Sequence, residues 1–356
     1  MSDHSKALML ALLGACAPPA PASIEAIGSE LPGPAPRGRE SARAQAMNIS
    51  CVECHRAAAR EWAVSRHAQA FTNPEYQRAL AIEPLGFCRG CHAPEADPER
   101  PPDAAAAALG VACVTCHVVG DEILAASRSE SDGPRAPHGV VRDGRLDFAR
   151  ACVRCHEFEF PDRGARGKSE LMQATVSEQA GSTAARRACA DCHMPASSTP
   201  GQSRRSHLFP GGHNEHLVRS AVQTSATRVD AERVRISLTP QAIGHAFPTG
   251  DLFRRVEVTA EVVGDEWQVL EARQAYLARH WTRTERGPFG VRLRTMARDD
   301  RPLDVPVALD WSFEMGSGRA IHWRVAYQRV AHPRSESEQE SEVTGEIELA
   351  HGVLSP

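Results

Sequence analysis

Aromatic side chains make up only 5% of the 356 residues, which is thin for a chain long enough to fold as about two domains. Lysine is almost missing, with Lys6 and Lys168 the only two, so basic charge is carried by arginine. The formal net charge is -4, and without a basic excess to neutralise phosphates a generic nucleic-acid binder is excluded. No run of 18 or more apolar residues occurs, so no transmembrane helix is expected. With so few large aromatic residues, something other than side chains is expected to fill part of the interior.

What the chain does have is 11 cysteines and 16 histidines. Ten of the cysteines fall into five copies of C-x-x-C-H: Cys51-Cys54-His55, Cys88-Cys91-His92, Cys113-Cys116-His117, Cys152-Cys155-His156 and Cys189-Cys192-His193. This is the attachment pattern of c-type haem. Thiols at i and i+3 share one face of a helical turn, where both can form thioethers with the vinyl groups of one haem. The histidine that follows then reaches the iron as proximal ligand. Zinc sites also use paired cysteines but do not need a histidine after each pair. A disulfide framework would not repeat one spacing five times, and a thioredoxin-like motif is normally single. Five covalently held haems c are therefore expected.

The eleventh cysteine, Cys16, follows a short apolar run from Ala7 to Ala15, with Lys6 before it. Leu13-Gly14-Ala15-Cys16 looks like a bacterial lipobox, so residues 1–16 read as a lipoprotein signal peptide and the membrane contact as a lipid on Cys16. An ordinary signal peptide with a chance cysteine is the alternative. Either way the chain is expected to be exported, to the periplasmic side or outer membrane, because c-type haem is attached outside the bacterial cytoplasm. Residues 17–46, rich in Pro, Ala, Gly and Ser, read as a flexible linker.

From 47 to 227 the local signals are helical. His55 to Phe71 contains neither Pro nor Gly, Asp103 caps Ala104 to Leu109 ahead of Gly110, and Thr175 to Ala190 is a further candidate interrupted by Gly181. After about 228 the period changes to two. Val234, Ile236 and Leu238 alternate with polar residues, as do Val256, Val258 and Ala260, and Ile321, Trp323, Val325 and Tyr327. The expectation is a mainly α multihaem domain with little regular core over 47–227. An all-β, sandwich-like domain follows over 228–356 and has no cysteine, hence no cofactor of its own.

The second axial position on each iron decides function: histidine or methionine there gives electron transfer, an open position admits a ligand. Outside the motifs, six histidines lie between residues 60 and 250. His67 is 12 residues beyond His55, about 18 Å along a continuous helix, so it is expected to serve a different haem from His55. His138 sits in a Pro-His-Gly turn. His207 and His245 share a local pattern, His-Leu-Phe-Pro-Gly and His-Ala-Phe-Pro-Thr-Gly, that holds an imidazole on a turn. His213 and His216 are i,i+3 neighbours, of which one is expected as a ligand. The candidate distal ligands are thus His67, His138, His207, His213 and His245, with His216 as alternative to His213 or His245. His280, His322 and His332 read as ordinary histidines of the strand region, Met194 as packing and Met172 as a weak distal candidate. Arg56, Arg66, Arg89 and Arg154 flank motifs or a ligand candidate, where a guanidinium fork suits a haem propionate.

The first half resembles the tetrahaem cytochrome c-554 family and, more widely, the hydroxylamine oxidoreductase and pentahaem nitrite reductase group. The resemblance is carried by Cys51-Val52-Glu53-Cys54-His55 with Trp62, Ser65, His67-Ala68 and Ala70-Phe71, by Gly110-Val111-Ala112-Cys113, by Cys189 to Pro195 and by Ser206 to His213. It covers about residues 47–220. It implies haems in stacked pairs, mainly helical chain and electron transfer. The chain differs from that family in having five motifs rather than four and a β-rich tail. It differs from the nitrite reductase branch in that all five motifs end in histidine, where that branch commonly has lysine. The function expected is a non-enzymatic electron carrier exchanging electrons with redox partner proteins, other cytochromes or a quinone-linked membrane complex. The alternative is a reductase or oxidoreductase of a small nitrogen or sulfur compound at one open haem.

Overall fold

The computed structural model describes residues 40–127, 137–142, 144–159, 171–197, 204–241, 243–284, 293–302, 304–331 and 341–356. Cys16, the signal segment, most of the linker, His4 and His332 lie outside the described residues. None of the helices in the described part is long and apolar enough to cross a membrane.

The motif-bearing half opens with the Ser41–Cys54 helix and continues through Arg56–Ala63, Pro74–Ile82, Gly86–His92, Ala104–Leu109, Cys113–His117, Val153–His156, Thr175–Ala180, Cys189–His193 and Glu215–Ala221. Four of the motif helices end on their own histidine, and His55 is the C-cap of the first. The motif sets that length: the helical turn aligns two thiols, and the chain then leaves so that the imidazole can turn inward. Two short antiparallel ladders separate these pieces, β1 (Val118–Val119) with β2 (Glu122–Ile123) and β3 (Glu157–Glu159) with β4 (Leu171–Ala174). Helix accounts for 27% and strand for 32% of the structure, so the expected mainly helical character gives way to short turns of helix.

The run from His55 to Phe71 shows why. Its helix stops at Ala63, and the chain bends through the buried Ser65, whose hydroxyl accepts from Ala68 N–H at 3.3 Å. Val111 N–H then donates to the His67 carbonyl at 2.9 Å. Gly110, at φ +53°, lies so close that a Cβ would sit 2.5 Å from the His67 and Ala68 carbonyl oxygens. A tertiary contact here outweighs local helix propensity, and only glycine permits it. Asp103 caps the Ala104–Leu109 helix, accepting from Ala106 N–H at 2.8 Å.

The only apolar cluster of this half among the described residues is small: Ala44, Leu109, Ala112, Val114 and Val118, with Met47 and Trp62 packed against it. The main core lies in the β region. Its first strand begins at Val222, ahead of residue 228. One sheet has the order β10 (Val307–Ser312), β6 (Arg233–Pro240), β5 (Val222–Arg228). The other has the order β12 (Val343–Leu354), β11 (Ile321–Val330), β7 (Arg254–Val263), β8 (Val269–Thr284), β9 (Leu293–Asp299), and every pairing is antiparallel. Val234, Ile236 and Leu238 share a core with Val256, Val258, Val262, Ile321 and Val325, all fully buried. Each such side chain contributes roughly 1.5–3 kcal/mol. The alternation breaks over Ala326 to Gln328, where consecutive residues are all buried.

Candidate functional site

One cavity of about 3650 Å³ runs through the motif-bearing half and touches all five C-x-x-C-H motifs. Ordinary ligand pockets hold roughly 300–1,000 Å³. The space is shared, and the motifs are close neighbours across it. Cys91 lies within hydrogen-bond reach of Cys155, and Cys152 of Cys189. Cys51 is near Cys113, and Cys116 near Cys152 and Cys155. The fourth motif therefore neighbours the second, third and fifth, while the first adjoins the third.

Four motif histidines each face a second histidine across this space. The ring centres are 6.3 Å apart for His55 and His138, 6.3 Å for His67 and His156, 6.2 Å for His117 and His207, and 6.2 Å for His193 and His245. An iron held by two imidazole nitrogens at about 2 Å each puts the nitrogens about 4 Å apart and the ring centres about 6 Å apart. Rings in van der Waals contact would be nearer, and unrelated histidines would not repeat one separation. Three histidine, cysteine or carboxylate side chains converging on one point, as a zinc site needs, are not found among the described residues. The pairs fit a planar group with an iron at its centre.

The ring nitrogens are set for the same task. Nδ1 lies 2.7 Å from the Ala70 carbonyl in His92, 2.9 Å from Leu124 in His117, 2.6 Å from Pro210 in His193, 3.0 Å from Arg205 in His207 and 3.0 Å from Ala246 in His245. A carbonyl only accepts, so each Nδ1 carries the proton and donates it. Nε2 is then left with a free lone pair for a metal, oriented by the second hydrogen bond. Burial adds to this by pushing the pKa values of His67, His92, His117, His156, His207 and His245 down, His67 to about 3, which keeps the imidazoles neutral.

Further residues, invisible as a motif, aim these rings. Glu61 receives a bidentate ion pair from Arg204 at 2.7 and 2.8 Å and also accepts from His207 N–H at 2.8 Å. The hydrogen bond from Arg204 holds its carboxyl down at about 2. Phe209 packs edge-on to His67 at 4.3 Å between ring centres. The loop carrying His245 is tied to the motif-bearing half by Ser182 Oγ, which donates to the Gly244 carbonyl at 3.1 Å. Arg301 donates to the Pro248 carbonyl at 2.7 Å and to Glu178 at 2.6 Å. No periodicity or spacing marks Glu61, Glu178 or Arg301, because each acts across more than 100 residues of chain.

His92 is different. Among the described residues no second histidine faces it. Tyr76 stacks on its ring, 3.7 Å between centres and 8° from parallel, with the buried Tyr76 hydroxyl lacking a hydrogen-bond partner. His213, expected as a distal ligand, turns its Nδ1 to Arg66 Nη2 at 3.0 Å instead of facing a motif histidine. His216 is exposed on the Glu215–Ala221 helix. The Met172 carbonyl accepts from Arg279, placing this strand at the boundary with the β region. Of the arginines beside motifs, Arg56 and Arg89 donate to the Glu53 and Pro98 carbonyls, and burial lowers the pKa of Arg154 beside Cys155 and Cys91.

The family described as cytochrome c554 and c-prime matches residues 50–118. No curated protein matches the sequence. Among solved structures, the penta-haem cytochrome c552 from Thermochromatium tepidum is similar over 86% of this chain and 97% of its own, with a TM-score of 0.64 and 19% identity. A β-glucuronidase of glycoside hydrolase family 2 also aligns, at 8% identity over 38% of this chain and 11% of its own, but a TM-score of 0.17 carries no argument. The fold of the whole, the matched segment and the paired histidines point the same way: the chain shares its fold with a penta-haem cytochrome and is similar over residues 50–118 to the cytochrome c554 family.

Proposed function

We propose that the mature chain is an exported, lipid-anchored five-haem cytochrome in which four irons are closed by histidine pairs and the fifth, on His92, is open. The carrying observation is the contrast between four ring separations of 6.2–6.3 Å and the tyrosine-covered His92. Haem c, when bound, supplies an iron that takes and gives one electron, with bis-histidine ligation favouring lower potentials than histidine–methionine ligation. His138, His156, His207 and His245 with their partners exclude other ligands from four sites. The motif adjacencies support a branched relay, with the fourth motif as junction between the second, third and fifth. Electrons from redox partner proteins outside the membrane would enter at the first or fifth motif and meet a small molecule beside His92. Turnover of a small nitrogen or sulfur compound is the second reading, and the lack of a histidine facing His92 among the described residues favours it.

Spin counting of the oxidised protein tests this. The expected result is four low-spin irons to one high-spin iron, with the high-spin one alone binding cyanide. Five low-spin irons would overturn the reading. The low-spin signals should also divide. Near-parallel imidazoles split the iron's two π-type d orbitals, whereas steeply crossed ones leave them nearly equal. His193 and His245 are 16° from parallel, while His55–His138 and His67–His156 cross at 57° and 65°. With His117 and His207 at 32°, two rhombic signals and two of high anisotropy are expected in the EPR spectrum. Uniformly rhombic signals would contradict the ring geometry.

A further inference from the structure

The two sheets of the β region have two unlike ends. At one, the loop that carries His245 and the contact of Tyr327 with Gly212 face the motif-bearing half. At the other lie the turns that join β5 to β6 (229–232), β7 to β8 (264–268) and β10 to β11 (313–320), all of them described. His322 precedes Tyr327 by five residues on β11, roughly 17 Å along the strand, so this second end stands away from the motifs.

Trp267 sits in the 264–268 turn and is 78% exposed, the highest value of any large apolar side chain among the described residues. Its φ is +62°, a backbone region that a bulky residue rarely enters. The turn is nonetheless closed, with Gly264 N–H donating to the Gln268 carbonyl at 3.0 Å and Trp267 N–H to the Gly264 carbonyl at 3.1 Å. The indole stands perpendicular to the His322 ring, 5.9 Å between centres. Burial does not account for a strained turn that holds a tryptophan out in water. Val353, the ladder partner of His322, is also exposed, as are Val269 and Met315, whose N–H donates to Glu271. None of these side chains lines the large cavity.

The unpaired charge around them is of one sign. Asp265, Glu266 and Glu314 are exposed and form no ion pair among the described residues. The arginines of this end are engaged: Arg233 with Asp230, Arg273 with Glu271, and Arg228 and Arg319 with backbone carbonyls of the turns. An indole face beside carboxylates suits a lysine or arginine side chain, by cation–π attraction and ion pairing together. The same carboxylates repel an anionic lipid surface. A second copy would bring them against one another across a two-fold axis.

We infer that this end of the β region is a docking surface for a protein segment that carries lysine or arginine among apolar side chains. Trp267 takes one cation on its ring, Val269, Met315 and Val353 receive the apolar side chains, and Asp265, Glu266 and Glu314 pair with the remaining cations. The inference is independent of how any iron is ligated.

Fluorescence anisotropy of a labelled peptide of alternating lysine and leucine, titrated with the holoprotein, tests it. The expected result is saturable binding that weakens as salt rises, with the same peptide carrying glutamate in place of lysine bound at least about tenfold more weakly. Trp267→Gly removes the ring and relieves the positive φ. It should weaken the lysine peptide about tenfold, the usual effect of losing an interface tryptophan. Asp265→Lys combined with Glu266→Lys should weaken it as much, and Trp267→Phe should keep part of the affinity. Haem content and far-UV circular dichroism establish that each variant is folded. Unchanged affinity in both Trp267→Gly and the charge reversal overturns the inference, as does equal binding of the glutamate peptide. Sedimentation as a dimer that Trp267→Gly abolishes assigns the surface to a second copy, and Trp267-dependent binding to phosphatidylglycerol vesicles assigns it to a membrane. Either result overturns the inference.

Discussion

Replacing His67 by alanine is expected to convert one of the four low-spin irons to a high-spin iron that binds cyanide when oxidised and carbon monoxide when reduced. His67 faces His156 of the fourth motif at the separation a bis-imidazole iron requires. The substitution removes that ligand while leaving His156 and both thioether cysteines, Cys152 and Cys155, in place, so the haem is retained. The turn that carries residue 67 is held by the Val111 N–H and by Gly110, which are backbone contacts that survive the change. His213→Ala serves as the opposite case. Its ring meets Arg66 rather than a motif histidine, so the count of low-spin irons should stay the same. The fourth motif neighbours three others, and loss of its closing ligand should therefore also slow electron equilibration among the haems, visible as multiphasic reduction by a rapid one-electron donor. An unchanged spin count in His67→Ala, or a changed one in His213→Ala, would contradict the pairing.

The motif cysteines and proximal histidines were legible because local covalent chemistry dictates C-x-x-C-H, whatever the fold around it. The turn-borne histidines His138, His207 and His245 were legible as candidates from their Pro and Gly neighbours. Which motif each one meets was not, since pairing is a property of the tertiary path. The structure sets His138 opposite the first motif although it precedes the fourth. His67 faces His156 rather than His55, and the continuous helix expected between His55 and His67 ends at Ala63. His213 meets Arg66 rather than a motif histidine, because i,i+3 spacing says which residues share a face and nothing about what stands opposite. The strand alternation of the β region was readable because each sheet hides one face. The buried run from Ala326 to Gln328 broke the rule where Gln328 is held in a polar network with Arg255, Glu257 and Glu346.

The second large effect is expected at Arg301. Its side chain is 3% exposed and joins Glu178 of the motif-bearing half, itself 10% exposed, to Asp299 and to the Pro248 carbonyl of the β region. Thr249 Oγ1 donates to the other Glu178 oxygen at 2.5 Å, so the loop that delivers His245 to His193 is fastened from both sides. Arg301→Ala leaves the Glu178 carboxylate buried without its cation, which typically costs about 3–5 kcal/mol. Exchanging Arg301 for methionine and Glu178 for leucine together should cost less than Arg301→Ala alone, because the deeply buried Glu178 charge is then not stranded and only the part-exposed Asp299 loses its cation. Guanidinium unfolding followed by circular dichroism measures both. The acid side carries a further sign. Burial works to raise the Asp299 carboxyl, but the hydrogen bond and charge of Arg301 outweigh it and hold the pKa below its ordinary value. A depressed folded-state value contributes stability that is fully present above the unfolded value of about 3.9 and is lost as pH falls through the folded one. Stability should therefore fall more steeply below about pH 4 in the parent than in Arg301→Ala. The His193–His245 pair adds a spectroscopic reading: loosening the loop should weaken the near-parallel, rhombic signal before the chain unfolds. A variant as stable as the parent, with that signal intact, would show that the loop is held by its backbone contacts with Pro302 and Ser182 rather than by the buried ions.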